Sequence, residues 1–226
     1  GDWGKAALVG AGVAGIMLFD EDLKDFAQDD LRGNSTDNLA DWTRPFGDSK
    51  VLIPATVGGY LMGSLTGSRR LAGASLLGFQ SLAIAAGLTE GIKHLAGRTR
   101  PNATDDAFDF QGLPGSGKSF VSGHATHAFA VATVFALEYR ESYVVPPVAY
   151  GLATLAAYSR VNDNKHWVSD VVVGAGIGFL VGVLTHRLSP FRPGSNPNIS
   201  FLPMVGRDKN GISIALTREF RIVNVF

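Results

Sequence analysis

A chain of 226 residues is long enough for one substantial domain. Lys+Arg and Asp+Glu are equal at 20 each, so no net charge draws the protein to nucleic acid. Cysteine is absent, which excludes disulfides and thiolate chemistry, while 46% of residues are hydrophobic and the mean hydropathy is +0.14.

Six apolar segments follow one another at 6–19, 51–66, 71–89, 121–137, 144–158 and 171–184. They have helix lengths and too little alternation for strands. They therefore predict an all-α bundle of about six main helices, whose glycines and alanines allow close packing. A bilayer span needs about 20 apolar residues, and most of these segments are shorter. A soluble or peripheral helical domain is expected ahead of a six-span membrane protein. For the membrane alternative, Arg69, Arg70, Arg140 and Arg187 follow the second, fourth and sixth segments and suit a positive-inside arrangement. Gly1-Asp2 reads as a trimmed start, consistent with a removed leader.

The first segment holds Gly10-Ala11-Gly12-Val13-Ala14-Gly15, which matches the dinucleotide fingerprint G-x-G-x-x-G. The fingerprint has force only where it opens a βαβ unit, and a charged stretch, Asp20 to Phe26, follows instead. Small residues that let helices approach are the expectation here. Residues 20–50 are acidic and polar, with caps expected at Asp20 and at Ser35 or Thr36. Phe26, Leu31, Leu39, Trp42 and Phe46 predict short helices packed on the bundle. Three formal glycosylation sequons, at Asn34, Asn102 and Asn198, carry no weight.

After the second and third segments comes Lys93-His94-Leu95-Ala96-Gly97-Arg98-Thr99-Arg100-Pro101. Gly97 breaks the helix and Pro101 prevents its resumption. Lys93, Arg98, Arg100 and Lys118 are thereby gathered at one end of the bundle, with Arg98 read as favourable charge at a helix C-terminus. The loop beyond contains Gly112-Leu113-Pro114-Gly115-Ser116-Gly117-Lys118-Ser119, a formal G-x-x-x-x-G-K-[ST]. No buried strand feeds it and no α/β alternation surrounds it, so a mobile loop over a site is expected rather than a nucleotide-binding one.

Ser122-Gly123-His124 opens the next helix. The Ser122 hydroxyl, the free N–H of Gly123 and the helix dipole suit an anion, and His124 stands beside it as a general acid. His127, three residues on, makes a His-x-x-His pair that, with His166 and Asp170, raises the question of a metal. The cations nearby would repel a divalent ion, so no metal is expected, and His127, His94 and His186 are read as structural. Ser159 to Asp170 then reads S-R-V-N-D-N-K-H-W-V-S-D. Positions four apart share a helix face, so Asp170 can accept the ring N–H of His166 and leave its other nitrogen as nucleophile. Arg160 supplies a planar fork for phosphate oxygens. The last helix, carrying Gly174, Gly176, Gly178 and Gly182, is stopped by Pro190 and Pro193. The tail beyond reads as two strands around Asn210-Gly211. The expected organisation is a helical domain over 1–198, with its motif-bearing core at 51–188, and a β-like tail over 199–226.

Together these segments offer what phosphoryl transfer requires. Lys93, Arg100 and Arg160 can neutralise three equatorial oxygens, while Ser122 and the Gly123 N–H bond to them. His166 can attack and His124 can protonate. At this point the sequence resembles the type 2 phosphatidic acid phosphatase family, relatives of the vanadium haloperoxidases. That family's signature is K-x6-R-P, then P-S-G-H, then S-R-x5-H-x3-D. The chain has Lys93-x6-Arg100-Pro101, Val121-Ser122-Gly123-His124 and Ser159-Arg160-x5-His166-x3-Asp170. The departure is Val121 in place of proline, which loosens the turn but removes no chemical group. The resemblance implies a metal-independent phosphatase acting through a phosphohistidine on His166, with vanadate as an inhibitor and no cofactor. It implies a phosphorylated lipid or small organic phosphate as substrate, no nucleic-acid partner, contact with a membrane surface, and a location in the periplasm or cell envelope. A haloperoxidase holding vanadate in the same pocket and a non-catalytic anion-binding module are the alternatives.

Overall fold

The structure is a computed structural model that describes residues 2–113 and 117–189, together with the backbone of two strands, Leu202–Asp208 and Gly211–Thr217. Eight α-helices run through it: α1 (Asp2–Met17), α2 (Asp20–Asp25), α3 (Asn34–Thr43), α4 (Ser49–Thr66), α5 (Arg69–Ala96), α6 (Gly123–Glu138), α7 (Val145–Asn162) and α8 (Val168–Leu188). A π-helical turn, Phe26–Leu31, follows α2, and a 3₁₀ turn, Arg44–Gly47, leads into α4. Each of the six apolar segments lies on one of α1 and α4 to α8, so the helical bundle is as expected. The strands pair antiparallel, Leu202 with Thr217 through Asp208 with Gly211. The stops expected at Pro190 and Pro193, and the sequon at Asn198, lie outside the described residues.

Local signals set the helix ends. Ser68 Oγ accepts the Leu71 N–H at 3.4 Å to start α5, and Gly97, at φ 59°, ends it in the left-handed conformation that glycine takes without strain. Pro146 and Pro147 occupy the first turn of α7, where their missing N–H groups cost nothing. Two expected caps are corrected. Phe19, not Asp20, precedes α2, because the Asp20 carboxylate is drawn into the buried interior. At α3 the cap position is Gly33, whose N–H donates to Thr36 Oγ1 at 2.9 Å.

The central helix is α6, packed against α5, α7 and α8. Its partners are small: Ala128 and Ala132 meet Ala153 and Ala156 of α7, while Ala130 meets Ala85 of α5 and Val181 of α8. On α8, Gly174, Gly178 and Gly182 form one stripe against α6. A Cβ on Gly178 would lie 2.3 Å from the Thr126 carbonyl oxygen, and one on Gly182 would lie 2.6 Å from Thr133 Cβ. The close approach expected of Gly10, Gly12 and Gly15 is not made: they lie within α1, and a Cβ on any of them would meet nothing within 4 Å.

The alternating course of α5, α6, α7 and α8 brings the end of α5, the start of α6, the end of α7 and the start of α8 to one end of the bundle. All the motif residues are there. The opposite end carries Arg70, which ion-pairs with Glu141 and lies over the Tyr139 ring, and His186, whose Nε2 is 3.1 Å from Glu138.

Two expectations about surfaces change. The short helices before α4 form and pack on the bundle, α3 and the 3₁₀ turn against α7, but Phe26, Leu31, Leu39 and Phe46 stay half-exposed and Trp42 is 80% exposed. Helices α5 and α8 are longer than their apolar runs, at 28 and 21 residues, because flanking polar residues continue the helix. At 1.5 Å per residue they measure about 42 and about 31 Å, enough to cross the hydrocarbon core of a bilayer. Both meet the length and composition of a membrane span.

Candidate active site

The three motif segments are stitched together by backbone contacts. The Ser122 N–H donates to the Asp170 carbonyl at 3.1 Å, so the turn into α6 is tied to the first turn of α8, and Val121 inside that turn is fully buried. The Arg160 carbonyl accepts the N–H groups of Lys165 (3.0 Å) and His166 (3.3 Å), which folds the chain after α7 back over its own end. Lys93 Nζ, from the last turn of α5, is 3.4 Å from where a Cβ on Gly123 would stand. The ammonium therefore stands beside the N-terminus of α6.

His166 and Asp170 are adjacent, but not by helical spacing. His166 precedes α8, and Asp170 occupies its first turn, where Oδ2 accepts the Trp167 N–H at 3.0 Å. Nδ1 of His166 lies 3.6 Å from Asp170 Oδ2, a facing charge contact rather than a hydrogen bond. The carboxylate is already occupied: Ser119 Oγ donates to Oδ2 and Arg98 Nη1 donates to Oδ1 at 2.7 Å. With Nδ1 turned to Asp170, Nε2 is the nitrogen free to attack.

Several buried polar atoms here have no hydrogen-bond partner among the described residues: Arg100 Nε, Arg160 Nε, Ser122 Oγ and His166 Nδ1, with Thr89 Oγ1 and His127 Nε2 alongside. Ser122, in the N-cap position, is fully buried and makes no side-chain capping bond. Buried donors left unmade are costly, so their concentration on the three motifs marks a place shaped for an anion. Arg160 also holds Asp163 through Nη1 at 2.8 Å, which anchors its guanidinium. Burial, then the charge of Arg160, pushes His124 down to about 3, with Asp48 opposing and His166 and His127 adding to the fall. Burial also holds His166 below its ordinary 6.5; Asp170 opposes this and Lys93 and Arg160 reinforce it.

Four residues of the neighbourhood were not legible as site residues. Arg98, read as a helix-end charge, is instead fully buried and ion-paired to Asp20 and Asp170. Ser119 and Ser169 supply hydroxyls to the two carboxylates. Asp20 comes from a segment that carries no motif at all. Among the described residues the formal phosphate-loop pattern has neither a feeding strand nor a helix directly after it. Its described part is tied down by the Ser119 N–H donating to the Arg98 carbonyl at 2.9 Å, and no helix starts directly after Lys118-Ser119. Pro114, Gly115 and Ser116 of that pattern lie outside the described residues.

The family model of the PAP2 superfamily matches residues 75–193, slightly more than half of the chain and all three motifs. The chain belongs to the PAP2 superfamily. Among PAP2 relatives, it is 33% identical over 139 residues to the lipid A 1-phosphatase of Porphyromonas gingivalis, a match covering 61% of this chain and 26% of that protein. The chain thus spans about a quarter of that relative's length. Its fold is similar to the crystal structure of Aquifex aeolicus LpxE, with a TM-score of 0.57 and 23% identity over 74% of this chain and 93% of that one. It is also similar to the transmembrane PAP2-type phosphatidylglycerolphosphate phosphatase of Bacillus subtilis, with a TM-score of 0.59 and 24% identity over 79% and 90%. At these identities the two structures speak for the PAP2 fold alone.

Proposed function

We propose that the protein is a metal-independent phosphatase that hydrolyses the phosphate monoester of a lipid. The observation that carries the reading is the set of buried donors on Arg100, Ser122 and Arg160, one from each motif segment, that are unpartnered among the described residues, with Ser122 tied to Asp170 and Arg160 to His166 through the backbone. Lys93, Arg100 and Arg160 balance the charge of the phosphoryl oxygens, and Ser122 Oγ and the Gly123 N–H bond to them. His166 Nε2 attacks phosphorus while the ester oxygen leaves with a proton from His124. A water molecule, deprotonated by His124, then breaks the P–N bond and releases phosphate. A histidine held to about 3 is a neutral imidazole at neutral pH and lacks the second proton a general acid must give. The substrate dianion reverses the local charge and raises His124 into its working range. Asp170 holds the His166 ring by facing Nδ1. No metal or cofactor enters these steps, and vanadate, a mimic of five-coordinate phosphorus, is an expected inhibitor.

A lipid substrate is supported by the names of the relatives and by the outer surface. Val57, Leu61 and Leu65 of α4, Phe79, Ile84 and Leu88 of α5, and Phe179, Leu180 and Leu184 of α8 are all exposed. So much outward apolar surface, on α4 and on the span-length helices α5 and α8, suits a bilayer better than water. The proposal therefore places the bundle in a membrane of the cell envelope. It retains the division near residue 198 between the helical body and a β-hairpin tail.

The test is phosphate release from phosphatidate, a lipid A phosphate and a soluble phosphomonoester, in detergent with a chelator present. Turnover is expected on the lipids, with His166→Ala lowering it by several orders of magnitude. Wild-type turnover by His166→Ala would refute the assignment.

A further inference from the structure

Asp170 has more partners than the orientation of one imidazole requires, and they lead away from the motifs. Arg98 has five N–H donors, and each is used. Nη1 donates to Ser169 Oγ (2.8 Å) and Asp170 Oδ1 (2.7 Å). Nη2 donates to Asp20 Oδ2 (2.8 Å) and the Ala107 carbonyl (2.6 Å), and Nε donates to Ala107 again at 3.0 Å. The guanidinium also lies over two rings, with its carbon 5.1 Å from the Phe110 centroid and 5.3 Å from that of Trp167. Asp20 completes the cluster: Oδ1 accepts the Ser169 N–H at 2.9 Å, and Oδ2 accepts the Ser169 hydroxyl. Asp20, Arg98 and Asp170 are all at 0% exposure.

Charge explains why two carboxylates share one guanidinium. A lone Arg98–Asp170 pair would be neutral, and Asp170 would present little field to His166. With Asp20 drawing on the same cation, the trio keeps one net negative charge, and Asp170 is the member facing Nδ1. A second carboxylate buried at this depth is expensive unless something depends on it.

We propose that Asp20, in the N-terminal arm outside the residues matched by the family, is a positioning residue for His166 that acts through Arg98 and Asp170. Asp20 and Ser169 fix the guanidinium, the guanidinium fixes Asp170 Oδ1, and Asp170 Oδ2 sets the place and the basicity of the imidazole. The N-terminal arm is thereby part of the catalytic support. Other groups facing His166 are Lys93 on α5, His124 on α6 and Arg160 on α7. His124 is the other imidazole of the group, and burial with the charge of Arg160 holds it down to about 3, so a shift of the His166 midpoint caused by Asp20 is readable against it.

The kinetic side of this inference rests on the phosphatase reading, while its electrostatic side does not. The experiment therefore measures both in wild type and Asp20→Asn, which keeps the shape and removes the charge. Nitrogen-15 NMR follows titration of the His166 ring, assigned by loss of its signal in His166→Ala, alongside kcat and KM. Removing the negative charge leaves the imidazolium less favoured, so the His166 midpoint moves to lower pH. In parallel, kcat falls about tenfold with KM little changed. An Asp20→Asn protein with a cooperative thermal transition, an unmoved midpoint and wild-type kcat overturns the proposal. A wild type that turns over no phosphoester, together with a lowered midpoint in Asp20→Asn, refutes the phosphatase reading and supports the coupling. If Asp20→Asn loses its thermal transition, Ser169→Ala decides. That variant removes the hydroxyl shared by Asp20 and Arg98, so a moved His166 midpoint supports the proposal and an unmoved one overturns it.

Discussion

Arg98 and Arg100 stand two positions apart and meet opposite environments. Arg98 spends every donor inside the protein, whereas Arg100 keeps a buried Nε without a partner. Removing Arg98 strands two buried carboxylates, so Arg98→Ala should lower the unfolding free energy by about 3–5 kcal/mol. Arg100→Ala should change it by less than about 1 kcal/mol while reducing turnover, because its fork is reserved for substrate. Denaturant titrations of the two variants check the contrast. A second expectation concerns pH. Burial holds His166 below 6.5, so the neutral, attacking form persists as pH falls past that value. The acid limb of kcat/KM should accordingly lie below 6.5. The pH–rate profile, taken with a substrate whose phosphate ionises outside the range, is the measurement. The sign for stability follows as well. A depressed histidine favours the unfolded chain once pH drops below its unfolded value, so acid should destabilise the fold through both His166 and His124. The three motif segments and their spacing were legible in the sequence, and the family model covers all three. The pairing of Arg98 was not, because its partner Asp20 is 78 positions away and carries no local pattern.

At the scale of elements, the site depends on how closely α6 and α8 approach. The stripe of Gly174, Gly178 and Gly182 receives Ser122, Thr126, Ala130 and Thr133 of α6, and a side chain on the stripe would meet backbone. Since Ser122 immediately precedes α6 and Asp170 stands in the first turn of α8, parting these helices would separate Ser122 from Asp170 and the adjacent His166. Gly178→Ala should cost about 1–3 kcal/mol by overpacking and should depress turnover. Gly176 lies on the same helix with nothing within 4 Å of a Cβ. There, Gly176→Ala should be neutral or stabilise by up to about 1 kcal/mol, through helix propensity. Thermal unfolding of the pair distinguishes the two faces. The sequence displayed four glycines on α8 without showing which of them face a neighbour. Only the rotation of the helix against α6 separates them.

For the whole molecule, the two ends of the bundle differ. Arg69, Arg70, Arg140 and Arg187 lie at the end opposite the site, and the site's cations lie at the other. If the arginine-rich end obeys the positive-inside rule, the active site faces away from the cytoplasm. The chain has no cysteine, so single cysteines report cleanly. In cells, Asp105→Cys, in the loop at the site end, should react with an impermeant maleimide. Tyr143→Cys, 97% exposed at the far end, should react only after the membrane is opened. The reverse pattern would invert the topology, and recovery of the protein in the soluble fraction would remove it from the membrane.

The sequence by itself determined the helices of the bundle and the three motif segments. Apolar runs of helical length and three motif segments are local patterns, set by spacing and residue type, and they named His166, His124, Ser122, Lys93, Arg100 and Arg160 as the groups to bring together. Tertiary structure alone decided what stands behind them. Whether a charge caps a helix or is buried against two carboxylates depends on partners distant in the chain. So does whether an apolar side chain faces the core or the outside, as for Trp42. Burial and long-range pairing are properties of the packed bundle, and no local window of residues contains them.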